Sequence, residues 1–347
     1  MKLLHVVAGA EVGGAETFSQ DAILALHEQG IEQHVIARPW PAALARYAAA
    51  GIPVTPLRFS TLDRLASRGR VIREAARTMG ADLAHAWMQR AAGFVPAAMP
   101  CPVAGWFGDY YDLKYFRRSD ACIAVTPDIA RHIRAEGFAA ERVFTVNTFG
   151  TMPDAAPVRR ADLNTPDGVP VLLVLARMHA VKGIVTMLAA LAQTPGAWLW
   201  LAGDGPERAS CEALAAKLGL SGRTRFLGWR HDRKALLEAC DICVLPSRHE
   251  PFGTVIVEAW AAGRPLVATS ADGARQYVHD GTDGLLCPID DPPALAACLR
   301  RLIGDPGLQA ALRAAGHVAY EADFTRAVVT GRLVACYQSI IQLGRRS

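Results

Sequence analysis

The chain has 347 residues, enough for two domains of ordinary size, each with its own core. Hydrophobic residues make up 51% and charged residues 20%, but no apolar run approaches the roughly 18–20 residues that cross a bilayer, which argues against an integral membrane protein. The formal charge of +4 is spread evenly, with 16 basic against 14 acidic residues over 1–150 and 21 against 19 over 151–347, too weak a bias for a nucleic-acid partner.

The N-terminal MKLLHVVAGA carries Lys2 and a short apolar run in the manner of a signal peptide. His5 interrupts the run, which leads straight into a Gly-Gly-Ala-Glu turn, so a buried first strand in a cytoplasmic protein is expected. Short apolar runs then alternate with Ala-, Leu- and Arg-rich stretches of helical period, the pattern of parallel sheets wrapped in helices. Strands are expected at 3–8, 33–37, 54–57, 83–86, 103–106, 121–125 and 143–146. A second series is expected at 171–176, 198–202, 224–227, 242–245, 266–268 and 284–287. Between Arg58 and Arg77 six arginines meet only Asp63 and Glu74, with Leu62, Leu65, Ile72, Ala76 and Met79 near helical spacing. That stretch reads as a solvated helix face or as a surface for anionic lipid or an acidic acceptor.

The segment TMPDAAPVRRADLNTPDGVP, 151–170, replaces apolar period with proline, aspartate and glycine and reads as a linker. The expected organisation is α/β: a doubly wound N-terminal domain over 1–152, a linker over 153–168, a second doubly wound domain over 169–322 facing the first across a cleft, and a terminal helix within 323–347 through Val328, Leu333, Tyr337 and Ile341. The eight cysteines show no disulfide framework, and Cys240 and Cys243 run into ICVLP as buried free thiols.

In doubly wound sheets ligands bind beyond the carboxyl ends of strands, near helix N-termini. The first strand ends in AEVGGAETF, where Gly13 and Gly14 allow close backbone approach and leave N–H groups for an anion, or simply form a common tight turn. The first strand of the second half is followed by ARMHAVKG, which offers Arg177 and Lys182 to a diphosphate; only five residues of the chain are lysines. AGDGPER then gives a turn with Gly203 and Gly205, structural or ligand-facing, with Pro206 expected to open the next helix. RFLGW, with Leu227, is a strand edge whose backbone suits a nucleobase. Lastly HEPFGTVIVEAW places Glu250 before a turn and Glu258 eight positions on. N–H groups near Gly253, Thr254 and Val255 suit phosphate or sugar oxygens, and the two carboxylates accept from hydroxyls.

Gly-Gly-Ala-Glu after the first strand, Arg177 with Lys182-Gly183, GDGP, FLG, EPFGTVIVEAWAAGRPLVAT and DGTDGLL occur in the order and spacing of retaining glycosyltransferases of family 4, and the chain resembles that family, whose fold, GT-B, has two Rossmann-like domains. The resemblance implies that Arg177 and Lys182 bind the donor diphosphate, that Glu250 contacts the donor sugar and that Glu258 holds the ribose hydroxyls. It implies that the Gly13–Gly14 loop closes on the phosphates, and it places Gly205, Leu227, Phe252, Gly253, Thr254 and Val255 in donor binding. It further implies a terminal helix that returns to the first domain with Tyr337 at the family's aromatic position. The chain departs from the family on the acceptor side. Where relatives carry a histidine, GWFGDYYD offers Asp109 or Tyr110; His85, expected at the end of a neighbouring strand, is a second candidate, and Gln276 stands in place of a common glutamate after Gly273.

The implied reaction moves a sugar from a nucleoside diphosphate, such as UDP, to an acceptor hydroxyl with retention, without a metal or other cofactor. The departing phosphate takes the acceptor proton, so no protein nucleophile is required. A cell-envelope glycolipid or polysaccharide precursor such as lipopolysaccharide is the preferred acceptor, with peripheral contact to the inner membrane face through Arg58–Arg77. A nucleotide-sugar 2-epimerase and a non-catalytic nucleotide-sugar-binding protein share the same architecture.

Overall fold

All thirteen expected apolar runs form strands; those at 3–7, 83–87, 103–107, 121–124, 171–175, 242–245 and 266–269 are buried on both faces, as a parallel sheet covered by helices requires, whereas the edge strands at 54–56 and 224–228 are only partly buried. The computed structural model describes residues 1–11, 13–60 and 69–344. It separates into two units, Met1–Phe149 with Arg326–Ser347, and Gly150–Thr325.

In the first unit the elements run β1 (Lys2–Val7), α1 (Gly14–Glu28), β2 (Glu32–Ala37), α2 (Pro41–Ala49), β3 (Val54–Pro56), α3 (Arg70–Met79), β4 (Leu83–Trp87), α4 (Met88–Phe94), β5 (Val103–Phe107), β6 (Ala121–Ala124), α5 (Pro127–Ala135) and β7 (Val143–Thr145). The sheet is parallel, ordered β3-β2-β1-β4-β5-β6-β7, so its winding reverses between β1 and β4. Helix α3 buries Ile72 and Ala76 and exposes Arg70, Arg73 and Arg77, with Arg77 paired to Glu74 at 2.8 Å. Leu62, Asp63, Arg64, Leu65 and Arg68 of the arginine-rich stretch lie outside the described residues.

The second unit continues with β8 (Val171–Leu175), α6 (Ile184–Ala192), β9 (Trp198–Ala202), α7 (Arg208–Lys217), β10 (Thr224–Gly228), α8 (Arg233–Ala239), β11 (Ile242–Leu245), α9 (Thr254–Ala261), β12 (Leu266–Thr269), α10 (Ala274–Tyr277), β13 (Leu285–Cys287), α11 (Pro292–Gly304) and α12 (Pro306–Asp323). Its parallel sheet is ordered β10-β9-β8-β11-β12-β13 and reverses between β8 and β11. The core joins Leu172 and Val174 of β8, Met187 and Leu188 of α6, and Leu295 and Leu299 of α11.

The stretch 153–168, expected as a linker, is largely exposed but is anchored to the second unit at Arg160 and Thr165. Arg160 donates to the carbonyls of Ala239 and Val169 and to Asp241 at 2.8–3.0 Å, and the Trp200 indole donates to Thr165 Oγ1 at 2.9 Å. Composition conceals this, because an arginine bonded to two carbonyls and a carboxylate reads in sequence as a solvated charge. Helix α13 (Arg326–Gly344) groups with the first unit and buries Val329, Leu333, Tyr337 and Ile340. Among the described residues no helix is long and apolar enough to cross a membrane.

Candidate functional site

The strongest convergence lies in the second unit at the reversal between β8 and β11, the place at which doubly wound sheets bind ligands beyond the carboxyl ends of their strands. After β8, a one-turn 3-10 segment Ala180–Lys182 stops at Gly183, whose φ of +64 suits glycine; a Cβ there would lie 1.9 Å from the Pro246 carbonyl oxygen. Two independent constraints therefore fix glycine beside Lys182 and press the β8 loop against the β11 loop.

That contact brings the two loops' charges together. Lys182 Nζ lies 2.7 Å from Glu250 Oε2, and Ser247 Oγ donates to the same oxygen at 3.2 Å. Both members of the pair are mostly buried, with side-chain exposures of 21% and 16%. Arg177, one residue beyond Ala176, is exposed, and its guanidinium has no ion-pair partner among the described residues. Helix α9 opens at Gly253, with φ of +88, and Thr254 and Val255 hold its first two N–H groups, which meet no acceptor among the described residues. The positive end of the helix thus lies at the Lys182–Glu250 pair.

One turn into α9, Glu258 is fully buried, and neither of its carboxylate oxygens has a hydrogen bond among the described residues. Arg233 Nη1 of α8 stands 2.6 Å from Oε1, but its N–H bonds are not aimed at the oxygen, so charge is countered without a hydrogen bond. Burial dominates over that counter-charge and pushes the carboxyl up from 4.5 to about 7. A buried carboxylate with unused acceptor capacity suits a ligand that brings hydroxyl donors.

The remaining donor-side residues separate. At the sheet edge β10 shifts register between Phe226 and Gly228, so half-buried Leu227 is a bulge residue with no ladder partner on β9. Gly205 has a packing reason: a Cβ there would lie 2.4 Å from the Met178 carbonyl oxygen. Pro206 falls short of its expected place, since α7 begins at Arg208 and the proline lies in the turn before its cap. Phe252 is buried against Tyr277 and Phe324, with ring centroids 5.3 and 6.0 Å away, so its side chain serves the core. Gly273 donates to the Glu250 carbonyl at 2.7 Å, pinning the loop after β12 to the β11 loop, and Asp272 on that loop binds His249 Nδ1 at 2.7 Å. Gln276 donates to the Asp272 carbonyl at 2.7 Å.

In the first unit the β1 loop approaches the β4 loop at its own reversal point, so tightly that a Cβ on Gly9 would lie 2.8 Å from Met88 Cε. Glu16 folds back over the Gly13–Gly14 turn and accepts the Ala10 N–H at 2.9 Å; a Cβ on Gly13 would meet its Oε2 at 2.2 Å. The chain's own carboxylate therefore takes the Ala10 amide beside this turn. After β5, Asp109 accepts the N–H of Tyr110 at 2.8 Å, and the Tyr110 hydroxyl donates to Asp128 at 3.0 Å.

His85 requires a correction. It lies in the middle of β4 rather than at its end, is wholly buried, bonds Tyr337 Oη through Nδ1 at 2.6 Å and packs on Trp87 at 4.0 Å between centroids. Burial lowers its pKa well below the ordinary value, so it is a neutral core imidazole. The sequence carries no sign of Arg233 or Ser247 as site residues: Arg233 looks like a solvated helix charge whose partner Glu258 is 25 residues away, and Ser247, though only three residues from Glu250, is a common residue type in a loop after a strand.

Residues 157–318 match the family described as glycosyl transferases group 1, and residues 12–149 match glycosyltransferase family 4. The lipopolysaccharide core biosynthesis glycosyltransferases LpsE and LpsD of Rhizobium meliloti (strain 1021) are 36% and 35% identical over 334 residues, covering 95% of this chain and 97% and 96% of theirs. Among solved structures, Anabaena Alr3699/HepE in complex with UDP and glucose aligns with a TM-score of 0.84 at 24% identity, over 98% of this chain and 100% of that one. The lipopolysaccharide outer core galactosyltransferase WaaB aligns with a TM-score of 0.75 at 18% identity, over 98% and 99%. The chain belongs to the group 1, family 4 glycosyltransferases, and its two parallel sheets are the two domains of the GT-B fold.

Proposed function

We propose that the enzyme transfers a sugar from a nucleoside diphosphate to a hydroxyl of a lipopolysaccharide core or related envelope glycolipid, with retention of anomeric configuration and without a metal. The observation that carries the reading is Glu258: a fully buried carboxylate with no hydrogen-bond donor, one turn into a helix whose open N-terminus lies at the Lys182–Glu250 pair. Ribose hydroxyls supply the missing donors, while the helix N–H groups, Lys182 and exposed Arg177 suit a diphosphate. The backbone at Leu227, which has no register partner on β9, suits the base edge. The relatives' names support the acceptor class, and the UDP in the HepE complex supports a uridine donor.

In the proposed reaction the bond from the anomeric carbon to the diphosphate oxygen breaks with its electron pair leaving on phosphate. The acceptor oxygen bonds to the same face of that carbon, and its proton passes to the departing phosphate. Stabilising the developing diphosphate charge is the main task of Lys182, Arg177 and the amides of Thr254 and Val255. Glu250, held by Lys182 and Ser247, is a sugar-hydroxyl acceptor and not a nucleophile. Exposed Arg70, Arg73 and Arg77 on α3 supply positive charge for a cytoplasmic membrane face.

The test is turnover of UDP-, GDP- and ADP-sugars with deacylated lipopolysaccharide core acceptors, with and without chelator, the product anomer being read by proton NMR. Chelator-insensitive transfer with retention is expected. An inverted product or acceptor-independent donor epimerisation would refute the reading. Vesicle flotation at low salt tests the membrane contact: anionic vesicles should bind the wild type and lose the triple Arg70, Arg73, Arg77→Glu variant, and equal flotation of both removes it.

A further inference from the structure

Glu258 is a buried carboxylate held by one counter-charge, and the residue supplying that charge has a second attachment. Arg233 Nη1 lies 2.6 Å from Glu258 Oε1, while Arg233 Nη2 donates to the backbone carbonyl of Thr151 at 3.2 Å. Next door on α8, Lys234 pairs with Asp154. Gly150 lies against the same carboxylate: a Cβ there would be 2.7 Å from Glu258 Cγ and 3.4 Å from Oε1. The segment Gly150–Asp154, where the chain enters the second unit, is therefore laid across Glu258 and fastened on both sides by consecutive basic residues of one short helix.

Arg233 is well placed to share its fork between two acceptors. Its side chain is 32% exposed whereas that of Glu258 is 0% exposed, so the guanidinium reaches in from the surface with the carboxylate as its deep partner and the Thr151 carbonyl as its second. The planar five-donor guanidinium can address two acceptors at once, which an ammonium does less well. Because Arg233 takes up no aligned hydrogen bond on either carboxylate oxygen, it sets a counter-charge beside Glu258 while leaving its acceptor capacity for a ligand. Among the described residues Cys243 of β11 is a further titratable group in electrostatic contact with Glu258.

We propose that Arg233 is a positioning residue that holds Glu258 ready for ribose hydroxyls and ties that carboxylate to the entry segment Gly150–Asp154. The proposal rests on the ribose role given to Glu258 above. It predicts that Arg233 acts on one part of the nucleotide only, the ribose, and that nucleotide binding is felt by the amides of residues 150–156.

The test is calorimetric titration of UDP, GDP and ADP and of their 2′-deoxy counterparts into wild type, Arg233→Gln and Arg233→Lys. Wild type is expected to bind one ribonucleotide about tenfold more tightly than its deoxy form, the effect of one hydrogen bond to a charged group. In Arg233→Gln that ratio should fall to about threefold or less, with binding of the deoxy form nearly unchanged; Arg233→Lys, which keeps the charge and loses the fork, should lie between. A general loss of stability would weaken both forms alike and leave the ratio intact. An equal ratio in all three proteins overturns the role of Arg233. A wild type that binds nucleotide without discriminating the deoxy form overturns instead the ribose role of Glu258, and this proposal with it. Hydrogen exchange at 150–156 should slow with the bound nucleotide in wild type and not in Arg233→Gln; the same slowing in both removes the tie to the segment.

Discussion

Replacing Glu258 by glutamine should change how stability depends on pH, in a direction and amount fixed by burial. The carboxyl titrates at about 7 in the folded protein against 4.5 ordinarily, so between these values the folded state binds a proton that the unfolded state releases. Stability therefore falls as pH rises through that window, and the carboxylate's burial penalty is fully present above about pH 7 and absent below 4.5. At 1.36 kcal/mol for each tenfold change, the contribution changes by roughly 2.5 kcal/mol between pH 8.5 and pH 5. Glu258→Gln removes the titration but adds its own pH-independent cost for a buried amide, so the informative quantity is the difference in unfolding free energy between wild type and variant. That difference should favour wild type by roughly 2.5 kcal/mol more at pH 5 than at pH 8.5, or roughly 5–10 °C in melting temperature for a domain of this size. Calorimetric unfolding of the nucleotide-free protein across this range checks it. A difference that stays flat would mean that Glu258 is solvated or already hydrogen-bonded, and the argument for a waiting ribose site would lose its basis.

Lys182→Ala should lower kcat by on the order of 10²–10³ if, as proposed, its charge offsets that of the leaving diphosphate. The Lys182 and Glu250 substitutions should be non-additive in a double-mutant cycle, since the side chains are 2.7 Å apart; strict additivity would contradict the coupling. Gly183→Ala should destabilise the second unit by at least about 2 kcal/mol, since both the positive φ and the Pro246 carbonyl oppose a side chain, and a melting temperature equal to wild type would refute the close approach. Tyr337→Phe removes the only side-chain hydrogen bond that His85 makes among the described residues and should cost about 1–3 kcal/mol in the first unit, read by unfolding, without changing nucleotide affinity.

The strands were legible because burial on both faces leaves a compositional trace: VLLVL, WLWLA and ICVL admit few other readings in a chain of this pattern. Their ends were less so. Trp87 extends β4 past His85, which moved that histidine from the mouth of the sheet into its centre. The helices over 292–323 left no comparable mark on the reading, since their Ala- and Arg-rich sequences suit many surface helices. At the site, the motif positions beside glycine turns were legible because close backbone approach restricts the residue type. The pairings were not. Lys182 meets Glu250 across 68 residues, and Arg233 reaches Glu258 and Thr151 from a helix whose charges look solvated in sequence. At the Gly13–Gly14 turn the sequence does not show that Glu16 is long enough to fold back onto the loop and take the Ala10 amide.

The central claim, a nucleotide-sugar donor site built on Glu258 and Lys182, is tested most directly by titrating UDP, GDP and ADP into the wild-type enzyme and into Glu258→Ala and Lys182→Ala. The account predicts that one diphosphate binds selectively and that each substitution weakens it by about tenfold or more while the folded protein persists. Undiminished binding in both variants, or no binding of any of the three by the wild type, would contradict it.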